Sequence, residues 1–278
     1  MPMNLFGIPV TDDHIHIDPV NGRGIDAARE FRRAGGTHLF LVTKPSWSYG
    51  IDPVTGEDYR EIYDRTLKVA AAVRETGVGV FVILGIHPAE ITRLTGRMTL
   101  DEAESLMKGG LEVAREYVGE QHAVALKSGR PHYPVDSPVW EASNRILSHA
   151  IMLAKDCGCA VQIHAETGPC SDVADLARSA GFPVHRVVKH FGSPDTPLTP
   201  SLIARSEAIP HLSRSGRLFT MESDFMDENS RPGAVLGPKS VPRFTRKLIE
   251  GGLISIDEAY RIHATAPSAI YGVEIELP

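Results

Sequence analysis

Short apolar runs alternate along the chain with longer stretches whose apolar positions recur every three to four residues. The runs cover residues 10–17, 37–43, 79–84, 122–127, 160–164, 184–190, 207–212 and 217–223. A run this short and this continuously apolar suits a strand buried on both faces, as in a parallel sheet. Between them, residues 24–34, 59–76, 100–117, 139–157 and 171–180 carry a helical period. Thr99 followed by Glu102 forms a capping-box start for the third of these. Gly77, Gly119, Gly158 and Gly181 stand where helices should end, since glycine accepts the left-handed cap. Eight strands alternating with helices predict an α/β fold, a single (β/α)8 TIM-type barrel over residues 1–278. The pattern is least regular where Pro194, Pro197 and Pro200 interrupt the helix expected after the sixth strand. Two long loops, 44–58 and 229–241, would lie above the carboxyl ends of strands, where barrel enzymes keep their substrate loops.

Length alone would suggest about two domains, but one such barrel uses roughly 250 residues, and the chain has 278. A chain of that size with 42% hydrophobic residues needs no disulfide or structural metal to hold its core. Cys157, Cys159 and Cys170 leave one thiol over in any pairing and match no zinc-finger spacing. They read as reduced packing residues and favour a cytoplasmic setting. Residues 1–10 lack the basic start and long apolar run of a signal peptide. The longest apolar run, 78–86, is too short to span a bilayer. A formal charge of −6 argues against an extended nucleic-acid surface. The expected partner is a small molecule or a short nucleic-acid end; a homo-oligomer is compatible with the sequence.

Chemistry concentrates at the strand ends. Residues i and i+2 of a strand share a face, so His14 and His16 point together into the barrel. Two adjacent imidazoles form a ready pair of metal ligands. Alone, such a pair also fits surface or core histidines. Further ligand types follow, however: His164 ends the fifth run, His190 the sixth, and Asp224 follows the eighth. Four histidines and one aspartate at the same end of different strands would converge on one point.

The series His14-x-His16, Gly85-Ile86-His87-Pro88, Gly129-Arg130-Pro131-His132, His164, His190 and Glu222-Ser223-Asp224 resembles the TatD-related branch of the amidohydrolase superfamily. The resemblance extends to Ile262-His263 and Ile270-Tyr271-Gly272-Val273. It implies a barrel that holds divalent metal ions and hydrolyses phosphodiester or related bonds. Carried over by position, it gives His14, His16 and Asp224 to one metal and His164 and His190 to the other.

The fourth strand departs from that pattern. TatD-like proteins place a bridging glutamate there, whereas this chain has Leu126-Lys127-Ser128-Gly129. An ammonium between two dications would be repelled by about 4 kcal/mol per pair of unit charges at ~4 Å and an effective dielectric near 20. Lys127 therefore cannot bridge as a cation. Either neutral Lys127 has taken up carbon dioxide to form an anionic carbamate, or it is an ordinary cation beside one metal or none. The carbamate resembles the bridge of the phosphotriesterase, dihydroorotase and urease branches. Burial near cations lowers a lysine's pKa and exposes the neutral amine that this reaction needs.

Asp224 is the candidate catalytic residue, ligating one metal and taking a proton as a metal-bridging hydroxide attacks. Its alternative is a helix N-cap. His87, Arg130, His132 and Lys239 are candidate substrate contacts. An arginine fork suits phosphate or carboxylate, although Arg130 could instead pair with Glu222 or Asp227. Lys239 and Arg243 could bind an anion or belong to a solvated loop. Asp12 and Asp13 are placed to orient His14 and His16, and Glu166 and Trp47 to touch substrate. The cofactor expectation is two divalent ions, zinc before Mn, Ni, Co, Fe or Mg, plus the carbamate on Lys127. The leading function is phosphodiester hydrolysis of a deoxyribonuclease kind. The alternative is a carboxylated-lysine hydrolase of a small lactone, amide or ester, and a non-catalytic metal-binding barrel comes third.

Overall fold

The computed structural model describes residues 6–231 and 235–277. Residues 1–5 of the N-terminal segment considered for a signal peptide, and residues 232–234 of the long 229–241 loop, lie outside it. Nine strands run in parallel: β1 (Thr11–His16), β2 (His38–Val42), β3 (Gly79–Gly85), β4 (Ala125–Gly129), β5 (Ala160–His164), β6 (Val187–Lys189), β7 (Thr199–Ile203), β8 (Thr220–Glu222) and β9 (Phe225–Met226). The last two are pieces of one strand, interrupted at Ser223 and Asp224. β8 pairs with β7 while β9 pairs with β1, so the interrupted strand closes the circle into the expected (β/α)8 barrel.

The main helices stay within two residues of expectation: Ile25–Arg33, Tyr59–Arg74, Leu100–Gly119, Ser137–Cys157 and Ser171–Ser179. The Thr99–Glu102 capping box forms in both directions. Gly77, Gly158 and Gly181 take positive φ as expected, but Gly119 stays inside its helix and Gln121 makes the left-handed turn instead. Among the described residues no helix is long and apolar enough to cross a membrane.

Four strands differ from the sequence reading, the eighth because it begins at Thr220 rather than Arg217. The fourth begins at Ala125 rather than His122, and residues 184–186 make a 3-10 turn before β6. The seventh is misplaced altogether. Residues 207–212, expected as a strand, contribute to the helix Ile209–Ser215, which buries Ile209 and Leu212 at a helical spacing of three. The true strand is Thr199–Ile203, inside the proline-rich stretch. Pro200 fits because pairing with β8 begins only at Ser201. No helix separates β6 from β7 among the described residues.

Apolar residues from the strands and helices fill the wall between them. The barrel interior toward the carboxyl ends is different: Asp12, Asp13, His14, Lys127, Gln162 and Glu222 are all buried there. Burying so many polar groups is costly unless each is bonded or serves a bound ion.

Candidate metal centre

The end of β1 supplies the first pair of candidate ligands. His14 and His16 bring their Nε2 atoms to 3.1 Å of each other. Each ring is held from behind. His14 Nδ1 donates to Gln162 Oε1 at 2.6 Å, and His16 Nδ1 donates to the Val42 carbonyl at 2.8 Å. With Nδ1 carrying the proton, Nε2 is left as a lone-pair donor on both rings.

β5 and β6 supply a second pair. His164 Nδ1 lies 2.7 Å from His190 Nε2. The outward nitrogens are again engaged: His164 Nε2 with His132 Nδ1 at 2.7 Å, and His190 Nδ1 with Glu222 Oε1 at 3.4 Å. The two pairs adjoin, because the His14 and His190 rings stack with centroids 4.0 Å apart. Gly129 lets β4 approach this cluster. A Cβ there would lie 1.8 Å from the His164 carbonyl oxygen, which instead accepts the Arg130 N–H at 2.9 Å.

The break between β8 and β9 presents Asp224. Its φ of 47° and its N–H bond to the His14 carbonyl turn the carboxylate toward His14, with Oδ1 3.7 Å from Nε2. Glu222 lies deeper and fully buried; Oε1 accepts the Phe191 N–H at 2.7 Å, and Oε2 has no partner among the described residues. Lys127, from β4, is 1% exposed and its Nζ likewise has no hydrogen-bond partner.

Burial sets the charge states. It pushes His16 down to about 3 and depresses His14, His164 and His190, so all four imidazoles are neutral at pH 7 and fit to ligate. Burial also lowers Lys127 to about 7, against the pull of Asp224, Glu222 and Asp13. It raises Asp224 to about 7, partly offset by Lys127. A bound dication would reverse that last effect by favouring the carboxylate.

These donors fit divalent metal. Two nitrogens each about 2.0–2.1 Å from one tetrahedral zinc ion sit about 3.3 Å apart, close to the 3.1 Å and 2.7 Å separations here. His14, His16 and Asp224 keep their ligand atoms within 4.8 Å of one another, as do His14, His190 and Glu222. The first set is the better site, since Asp224 lines the open cavity and Glu222 does not. That cavity, about 1160 Å³, is also lined by His87, Lys127, His132, His164 and His190.

The outer residues divide. His87 and His132 face the cavity, and His132 braces His164. Trp47 lines the cavity as well. Arg130 does not: it is buried, pairs with Glu166 and Asp172 rather than with Glu222 or Asp227, and stacks 4.6 Å from Trp140. Glu166 is thereby occupied by Arg130. Lys239 pairs with Glu30, and neither it nor Arg243 lines the cavity. Asp12 bonds the His14 and Ser223 N–H groups and Asp13 bonds Thr220, Tyr271 and Gln162, so neither touches an imidazole. Gln162 and Glu222, which do, were not singled out from the sequence. Each lies two residues before a candidate ligand (His164 and Asp224), a spacing that could have revealed them.

Comparison with known proteins follows the same lines. A family model described as TatD related DNase matches residues 11–272. The uncharacterized protein MJ1127 of Methanocaldococcus jannaschii is 35% identical over 285 residues, covering 98% of this chain and 99% of its own. Among solved structures, the TatD homologue YJJV of Escherichia coli K12 superposes with a TM-score of 0.65 at 16% identity, covering 95% of this chain and 98% of that one. The phosphotriesterase homology protein of E. coli, solved with phosphate in its active site, gives 0.63 at 13% identity, covering 97% and 100%. At those identities the two structures speak for the fold alone.

Proposed function

Because the chain belongs to the TatD-related DNase family, we propose that it is a binuclear metal-dependent hydrolase of a phosphodiester or related ester. His14, His16 and Asp224 would hold one ion and His164 and His190 the other. One observation carries this reading: four neutral imidazoles turn one nitrogen each toward one another, with His14, His16 and His190 held from behind by Gln162, the Val42 carbonyl and Glu222 and His164 braced by His132, beside a buried lysine nitrogen that has no partner among the described residues. Bound divalent ions would supply Lewis acidity and lower the pKa of water. Zinc suits this donor set, while Mn, Ni, Co, Fe and Mg compete through availability.

Lys127 completes the site as a carbamate. The neutral amine attacks carbon dioxide, a C–N bond forms, one N–H proton leaves to solvent, and the product carries a single negative charge on two oxygens. A pKa of about 7 keeps roughly half of the amine neutral at that pH. The anion also relieves the cost of an unpartnered buried ammonium. Asp224 would serve as the proton acceptor at the cavity face, one carboxylate oxygen holding the ion and the other left to take the proton. A cytoplasmic setting fits the three free cysteines.

The test is metal content and bicarbonate labelling. After reconstitution with zinc and carbon-13 bicarbonate, the protein should hold two ions per chain and retain a protein-bound carbamate signal. Lys127→Ala should lose the signal and at least one ion, with partial recovery of turnover in acetate or propionate. A variant that keeps two ions without added carboxylate contradicts the bridge.

A further inference from the structure

The cavity does not end at the metal ligands. It runs from them under the loop after β1 and the loop after β2 to the helix Tyr59–Arg74. The wall of this arm is built from Val20, Ile25, Trp47, Tyr49, Val69 and Met226. Val20 and Trp47 both line it and stay solvent-accessible at 84% and 36%. Charged groups also line it, yet most are spoken for. Lys44 is buried against Asp18 at 2.6 Å, Arg65 bonds Glu61 and the Tyr49 carbonyl, and Arg231 pairs with Glu228. Lys68 alone lacks an acidic partner among the described residues, and it is exposed.

A strand of phosphates needs a track of free cations, with aromatic platforms for its bases. This arm offers one free cation and an apolar trough. An apolar substituent gains by leaving water there, about fourfold in affinity for each methylene buried. The arm is continuous with the metal centre, so a substituent lying in it belongs to the molecule whose bond is cleaved.

We infer that the site takes small esters carrying an extended apolar substituent, which lies along Val20, Trp47 and Val69, rather than polymeric nucleic acid. This rests on the metal-hydrolase reading above and names the substrate class for that same site.

Binding of n-alkylphosphonates from methyl to octyl, measured by titration calorimetry on zinc-loaded protein, tests it. The phosphonate head reports the metal centre and the chain reports the arm. Affinity should rise about threefold to fourfold per methylene until the arm is filled. Val69→Lys and Trp47→Ala should flatten that slope while leaving methylphosphonate affinity and zinc content unchanged. Short single-stranded oligonucleotides should bind more weakly than octylphosphonate. A flat slope in the wild type, with methylphosphonate still bound, overturns the arm and leaves the metal centre standing. A protein that binds neither zinc nor methylphosphonate overturns both. Oligonucleotides binding more tightly than octylphosphonate overturn the substrate class.

Discussion

Replacing Gln162 by Met tests how far the ligands depend on what lies behind them. Gln162 is fully buried, and its Oε1 accepts the His14 Nδ1 proton at 2.6 Å. Its amide also donates to the Asp13 carbonyl at 2.9 Å and to Tyr271 Oη at 3.1 Å. Methionine keeps the volume but offers His14 no oxygen. Leaving a buried N–H unpaired costs about 1–3 kcal/mol, roughly fivefold to 150-fold in an equilibrium constant. Loss of such a partner behind a metal-bound histidine typically lowers affinity about 10–100-fold. The two magnitudes agree. Zinc titrated against a chromogenic chelator should therefore show one site weakened by about 10–100-fold and one nearly unchanged, because His164 and His190 have their own supports. Circular dichroism checks that the barrel persists. Equal affinities in wild type and variant at both sites would refute the claim that Gln162 sets the His14 tautomer.

Three further outcomes follow from the same geometry. Asp224→Asn keeps a residue tolerant of positive φ, so folding should be spared while kcat on bis-p-nitrophenyl phosphate falls about 10²–10⁴-fold; a near-normal rate removes its role as proton acceptor. Arg130→Met should lower stability by about 2 kcal/mol through lost charge-assisted bonds, with zinc stoichiometry and KM unmoved; a stable variant with greatly raised KM would return Arg130 to the substrate. His263 is buried and held down to about 4 by burial, with Nδ1 3.1 Å from both the Thr11 backbone nitrogen and oxygen and Nε2 2.8 Å from Thr245 Oγ1. Its neutral form stabilises the native state fully above about pH 6.5, and that contribution is lost as pH falls toward 4, because the unfolded chain binds the proton first. In urea unfolding of metal-free protein, the advantage of wild type over His263→Asn should shrink by up to about 3 kcal/mol between pH 7 and pH 4; parallel profiles would contradict this.

Legibility in the sequence tracked locality. His14 and His16 could be read as a pair because strand period alone puts them on one face, and the apolar runs located most of the barrel. β7 was hidden because Pro194, Pro197 and Pro200 mask a strand with few apolar residues, while Ile209 and Leu212 mimic one. For Arg130 the sequence offered the wrong partners, Glu222 or Asp227, because Asp172 lies on a helix 42 residues on, and Lys239 looked free because Glu30 is 209 residues away. Ion pairs of that separation depend on how loops stack above the barrel. Local pattern carries no record of it. Gln162 and Glu222 were missed for another reason: support for the imidazoles was expected from Asp12 and Asp13, beside them in the sequence, whereas it comes from other strands across the barrel.

Crystals grown with zinc and bicarbonate, with anomalous scattering collected at the zinc edge, would test the metal centre most directly. The geometry predicts two peaks, one among His14, His16 and Asp224 and one between His164 and His190, joined by density continuous with Lys127 Nζ. A single peak beside an unmodified lysine side chain would contradict it.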